Sequence, residues 1–118
     1  LNNDFAISSV IIETEASLLD LERICAIDML DVIYIGCYDL SVCLGLAGDT
    51  LHPKIIEIIE KSVNVIRKSG KAAGIMCRNQ DEIKTALALG YTFIVYGVDT
   101  LLLHSAVTGA VEGFRGSH

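Results

Sequence analysis

Glu13 closes the apolar run Val10-Ile11-Ile12, and Asp39 stands three residues beyond Gly36, which closes the run Val32-Ile33-Tyr34-Ile35. If both runs are neighbouring buried strands, the two acids emerge on one rim. Adjacent carboxylates suit a hard divalent cation that keeps open positions for water and substrate, and such an ion can polarise a ketone. Further strand-end groups are Met76-Cys77-Arg78 and Gly97-Val98-Asp99, while Thr14, Cys37, Tyr38 and Ser41 flank the first two acids. Each acid also has a plainer use. Glu13 could cap the helix that follows it, Asp39 could cap a turn at residues 40–44, and Asp99 reads as the N-cap of the last helix. Cys37, Cys43 and His52 match no usual zinc spacing. His104 falls inside a helix and reads as a surface or interface residue. No residue of this chain is assigned a catalytic role.

The elements needed to position these groups are legible in the apolar periodicity. Residues 7–12 and 32–35 read as strands, separated by a helix over 16–27 with Leu18, Leu19, Leu21, Ile24, Cys25 and Ile27 on its apolar face. Residues 36–51 read as a glycine-containing loop with at most one helical turn. His52-Pro53 opens a long helix, because proline suits a first turn. Ile55, Ile56, Ile59, Val63 and Ile66 form its buried stripe, Glu57 and Lys61 pair on its outer face, and Gly70 ends it. A strand over 71–76, a helix capped by Asn79 and closed by Gly90, a strand over 91–96 and a helix over 100–112 complete the chain. Tyr34 and Tyr96 read as core residues of their strands.

Strands apolar on both faces, alternating with amphipathic helices, imply a parallel sheet covered by helices. A full (β/α)8 barrel takes about 250 residues, so four βα units in 118 residues amount to about half of one. A small open doubly wound sheet is the alternative, although no GxGxxG fingerprint occurs. Residues 1–118 read as a single domain. The composition is 52% hydrophobic and the mean hydropathy +0.51, which fits a piece that buries surface against something else. A net charge of −6 with no basic cluster argues against nucleic acid, and no run is long enough to cross a bilayer. Cys25, Cys37, Cys43 and Cys77 lack a CxxC pairing and read as reduced and cytoplasmic. The opening Leu1-Asn2-Asn3-Asp4 has no initiator methionine and no basic leader, so a fragment or processed product is expected. Residues 116–118 resemble a tag scar.

The motifs together resemble the HpcH/HpaI aldolase/citrate lyase family. They are Ile12-Glu13-Thr14, Gly36-x-x-Asp39-Leu40-Ser41 with Leu44-Gly45, His52-Pro53, Gly70-Lys71-x-x-Gly74-Ile75 and Gly97-Val98-Asp99-Thr100 with Leu102-Leu103. They run in order over nearly the whole chain. The resemblance is closest to class II pyruvate aldolases acting on 2-keto-3-deoxy sugar acids and 4-hydroxy-2-oxo acids. It implies strands five to eight, the C-terminal half, of a TIM barrel of the phosphoenolpyruvate/pyruvate superfamily. It implies that Glu13 and Asp39 ligate Mg²⁺, Mn²⁺ or Co²⁺, and that Gly36, Cys37 and Tyr38 border the carboxylate of pyruvate.

The activity so implied is retro-aldol cleavage of a 4-hydroxy-2-oxo acid to pyruvate and an aldehyde through a metal-bound enolate. The catalytic arginine and histidine would come from the N-terminal half, so this segment alone is expected to be inactive. A homo-oligomer is implied, with the last helix exchanged between subunits. The family's usual Gly-Pro-Ala-Asp-Leu-Ser is Gly36-Cys37-Tyr38-Asp39-Leu40-Ser41 here, and Ile11 stands where many members have glutamine. A tyrosine beside the ligand reshapes the pocket. A degenerate half-barrel that holds ligand without turnover, and a lyase of acyl-CoA thioesters, are the competing readings.

Overall fold

The computed structural model describes residues 6–116. The opening tetrapeptide and Ser117-His118, on which the readings of a fragment and of a tag scar partly rest, lie outside the described residues. The elements are β1 (Ser9–Ile12), α1 (Glu15–Leu19), α2 (Leu21–Cys25), β2 (Val32–Ile35), α3 (Cys37–Cys43), α4 (Pro53–Lys68), β3 (Ala72–Cys77), α5 (Gln80–Leu89), β4 (Phe93–Tyr96) and α6 (Asp99–Gly116). The four strands form one sheet in the order β1-β2-β3-β4, all parallel. Each strand is followed by helix, which is the four-unit βα order expected from the periodicity.

Register explains which residues are core. Ile12 pairs with Ile35, Ile35 with Ile75, and Ile75 with Ile94. Side chains alternate across a strand, so these residues share one face with Ile33, Ala73 and Cys77. That face packs against Leu21 and Cys25 of α2, Ile55, Val63 and Ile66 of α4, and Ala86 of α5. The opposite face carries Ile11, Tyr34, Phe93 and Val95. It lacks such a cover: Ile11 is 51%, Phe93 37% and Val95 38% exposed.

Several elements depart from the expectation for local reasons. The helix over 16–27 is two short helices broken at Asp20, whose φ of −90° and ψ of 8° leave the helical basin, and the break leaves Leu19 and Ile27 of the expected apolar face exposed. The Asp20 carboxylate turns to Arg23 instead, at 3.2 Å. The expected loop after β2 begins with a true helix, α3. Gly36 is its N-cap without a side-chain bond, so the usual Ser, Thr or Asp signal is missing. The long helix begins as expected, with the His52 Nδ1 accepting the Lys54 N–H at 3.1 Å. Its buried side includes Ser62, while Ile56 is exposed. Asp99 is the first residue of α6 rather than its cap, and its carboxylate accepts the Thr100 N–H at 2.7 Å.

The last strand starts two residues late because Tyr91 turns into the core. Tyr91 is fully buried, and its hydroxyl donates to the Ile59 carbonyl at 2.9 Å, tying the α5–β4 junction to α4. Burial pushes its phenol well above the ordinary range, so it remains a donor. Tyr96, expected in the core, is 44% exposed. It lies on the helix side of β4, where α6 would complete the layer, but α6 has no buried residue. The radius of gyration is 16.8 Å and the longest extent 58 Å, against about 13–14 Å expected for the radius of a compact domain of this length. The helix therefore stands off from the sheet. Replacing Tyr91 with phenylalanine should remove the tie to α4 and destabilise the protein by about 1 kcal/mol, read as a lower urea midpoint at unchanged slope.

Candidate functional site at the sheet rim

Parallel pairing brings all four strand C-termini to one edge, where ligands of such sheets bind. Residue 13 follows Ile12 and residue 36 follows Ile35, so the register sets Glu13 beside Gly36. The Gly36 N–H donates to the Ile12 carbonyl at 2.9 Å. A Cβ at Gly36 would stand 3.2 Å from the Glu13 Cβ and 3.2 Å from the Ile11 Cγ2. Glycine is needed here because Glu13 and the end of β1 lie against it. Asp39 follows in the first turn of α3, where negative charge complements the helix dipole.

The plainer uses of the two acids are not those of the structure. Thr14 caps α1, its hydroxyl accepting the Ser17 N–H at 3.1 Å in a reciprocal capping box. Gly36 occupies the cap position of α3. Among the described residues the carboxylates of Glu13 and Asp39 take no hydrogen bond and no ion pair, and both are exposed. They line an open cavity of about 850 Å³ with Gly36, Cys37, Tyr38 and Arg78. Thus every residue singled out at the second strand end lines one space with Glu13, except Ser41. That serine is buried, and its hydroxyl donates to the Tyr38 carbonyl at 2.6 Å.

The flanking side chains have distinct roles. The Tyr38 ring lies against Gly48, where a Cβ would meet it at 2.8 Å. Gly48 also has a φ of +84°, so backbone conformation and ring both favour glycine there. The Cys37 thiol donates to the Ile35 carbonyl at 3.7 Å, and burial pushes it up to about 12. At neutral pH it is therefore a neutral thiol. Burial also pushes the Tyr34 phenol above its ordinary value, with smaller contributions from Cys37, Cys77 and Asp39.

Arg78, singled out only as a strand-end residue, forms a fork with Glu82 of α5, its Nη2 at 2.8 Å from Oε1. Burial pushes the Glu82 carboxyl up, but hydrogen bonds from Arg78 outweigh it and hold it below the ordinary carboxylate value. Glu82 was missed in the sequence. The signal was available in its place three residues after the cap Asn79, where an acid commonly turns back to the chain entering the helix.

The donor set can be tested against a metal. Glu13 and Asp39 are hard oxygen donors, and the Cys37 thiol donates to the Ile35 carbonyl. Among the described residues no third His, Cys, Asp or Glu joins them in a cluster. Two carboxylates with free neighbouring positions fit a hard divalent ion that retains waters, and do not fit a zinc-type thiolate site.

A four-stranded parallel βα sheet with an acid pair at its C-terminal rim has the form of half a (β/α)8 barrel. The sequence matches the family described as HpcH/HpaI aldolase/citrate lyase over residues 6–106, and the chain belongs to that family. It is 38% identical over 112 residues to a 4-hydroxy-2-oxo-heptane-1,7-dioate aldolase of Escherichia coli, covering 95% of this chain and 43% of that protein. The chain thus spans less than half the length of the curated relatives it matches, as a C-terminal half. A family protein from Burkholderia cenocepacia superposes with a TM-score of 0.89 at 26% identity, covering 96% of this chain and 44% of that one. An HpcH/HpaI aldolase from Desulfitobacterium hafniense superposes with a TM-score of 0.85 at 25% identity, again covering 96% and 44%. Among the described residues no helix is long and apolar enough to cross a membrane.

The thiol chemistry of the rim is directly measurable. At pH 8 iodoacetamide should modify the exposed Cys43 and leave Cys37 unmodified until the protein is denatured, as followed by peptide mass spectrometry. The sign follows from the raised Cys37 value: below about 12 that thiol stays neutral and unreactive.

Proposed function

We propose that this chain holds the keto-acid end of a metal-dependent pyruvate aldolase, which cleaves a 4-hydroxy-2-oxo acid into pyruvate and an aldehyde. The observation that carries this reading is the acid pair: two exposed carboxylates without described partners, from adjacent strand ends, facing one cavity. Membership of an aldolase/citrate lyase family supports it. The name of the Escherichia coli relative suggests a 4-hydroxy-2-oxo diacid as substrate.

In this reading Glu13 and Asp39 hold Mg²⁺, Mn²⁺ or Co²⁺. When bound, the ion supplies Lewis acidity to the 2-oxo group as the C3–C4 bond breaks. The backbone at Gly36, Cys37 and Tyr38 borders the keto-acid carboxylate. Gly36 leaves room for it, since no Cβ intrudes between Glu13 and the start of α3. The Tyr38 ring, parked against Gly48, limits the space left for the aldehyde half. The 4-hydroxyl loses a proton and C3 gains one during cleavage. We assign those transfers to groups of the N-terminal half, so the isolated segment is inactive.

The same reading names its protein partners. The N-terminal half covers the face that carries Ile11, Phe93 and Val95 and pairs with the open edges of β1 and β4, which are otherwise templates for association. A second copy receives α6. Leu103 is 68%, Val107 55% and Val111 43% exposed on that helix, and Tyr96 lacks a covering helix on its own sheet. Both surfaces are apolar and both are accounted for by reciprocal exchange.

In the full barrel, Glu13→Gln and Asp39→Asn should each weaken Mn²⁺ binding by about tenfold or more, a loss of about 1.4 kcal/mol per decade, as titrated by calorimetry. Pyruvate release from a 4-hydroxy-2-oxo diacid should fall at least in proportion. Unchanged Mn²⁺ affinity in both variants would remove the site assignment, and metal and pyruvate binding without turnover in the intact protein would favour a degenerate module. Removing residues 99–116 should convert the assembly to a smaller species in sedimentation velocity, whereas an intact protein that sediments as a monomer would overturn the exchange.

A further inference from the structure

The rim cavity is strongly one-sided in charge. Glu13, Asp39, Glu60, Asp81 and Glu82 line it, and Arg78 is the only cation among its described lining residues. An anionic keto acid entering such a space is repelled unless positive charge is set against each of its anionic groups. In the proposed reading a divalent ion held by Glu13 and Asp39 would serve the keto-acid end. Arg78 is what the chain itself offers to any other.

Its geometry suits that use. The Arg78 Nε–H donates to Glu82 Oε1 at 3.1 Å and Oε2 at 3.3 Å, and Nη2 donates to Oε1 at 2.8 Å. The backbone N–H of Arg78 donates to Oε2 at 2.7 Å. Glu82 thus grips the guanidinium on its Nε–Nη2 side and the backbone behind it. The Nη1 side donates to none of the described residues and remains a free face of a planar fork made for carboxylates. The other described ion pairs have side chains 54–91% exposed, whereas Arg78 is 40% and Glu82 30% exposed. The pair is not needed to cap α5, because the Asn79 side chain already accepts the Asp81 and Glu82 N–H groups at 3.1 and 2.9 Å.

Position separates Arg78 from the keto-acid end. It follows β3, one strand beyond Gly36 and two beyond Glu13. Strands lie about 4.8 Å apart, so the separation from the axis of β1 is about 10 Å. That matches the reach of a short diacid lying across the rim from β1 to β3. We propose that Arg78 binds a second carboxylate, on the aldehyde half of the substrate, and selects dicarboxylate over monocarboxylate 4-hydroxy-2-oxo acids. Glu82 is its positioning residue. The proposal rests on the aldolase reading above.

Two unreactive probes separate the two ideas. They are 2-oxoheptane-1,7-dioate, which has a distal carboxylate, and 2-oxoheptanoate, which lacks it. Each is titrated calorimetrically, with Mn²⁺ present, into the full barrel and into its Arg78→Met and Arg78→Gln variants, with thermal melts confirming that each is folded. The intact protein should favour the diacid by about tenfold or more. Either variant should bring the two affinities within about twofold of each other and leave the monoacid affinity within about twofold of its original value. Arg78→Lys should keep the charge but lose the fork, and so retain part of the preference. A folded variant that keeps the full preference, or an intact protein that binds both probes equally, overturns the role of Arg78 alone. Failure of the intact protein to bind either 2-oxo acid overturns the aldolase reading, and this proposal with it.

Discussion

The backbone ladder between β1 and β2 is the constraint on which the rest of the rim depends. Ile12 opposite Ile35, closed by the Gly36 N–H on the Ile12 carbonyl, puts residue 13 beside residue 36. A slip of β1 by one residue against β2 would turn Ile12 to the uncovered face and carry Glu13 away from Gly36. The layer under α2 and α4 resists that slip, because moving the fully buried Ile12 toward water costs about 1.5–3 kcal/mol. The core thus fixes the spacing of the acids without touching them.

Above that ladder, small residues set what fits. Gly36 lets Glu13 and the end of β1 lie close. Gly48 takes the Tyr38 ring. Gly97, at a φ of +64°, lies under Leu102 and sets the direction in which α6 leaves the sheet. Each is a place where a side chain would alter the rim or the exit of the last helix. Below the ladder the chain is simply stitched: the Asp31 carboxylate accepts the Ser8 N–H at 2.8 Å, and Lys71 donates to the Leu30 carbonyl at 2.6 Å. The buried core is concentrated in the helix-covered layer and the candidate binding groups at the C-terminal rim of the sheet, which is the usual division of labour in a βα fold.

Charge gives the rim a second layer of organisation. A cavity whose charged lining residues are chiefly carboxylates is a poor host for an anion but a better one for an anion bridged by cations. In the proposed reading the acid pair and the Arg78–Glu82 fork divide that work by strand: hard oxygen donors at β1 and β2, a guanidinium at β3. The Cys37 thiol at the end of β2 donates to the Ile35 carbonyl.

The alternation of apolar runs with helical periodicity was enough to read four βα units, the boundaries of β2 and the start of α4, because strands apolar on both faces give an uninterrupted apolar run. The two acids were legible for the same reason: each directly follows or closely trails such a run. Local signals did not suffice where packing decided. Tyr91 reads as a strand residue until the core claims its ring and the Ile59 carbonyl its hydroxyl. Tyr96 reads as core until α6 leaves its side of the sheet bare. The helix at α3 carries no polar cap to announce it. The fork between Arg78 and Glu82 needed the turn at Asn79 to bring the two together. Residue types and spacing define which groups can do chemistry here. Only the tertiary structure decides which of them share a cavity, since strand register and helix packing act between segments far apart in the chain.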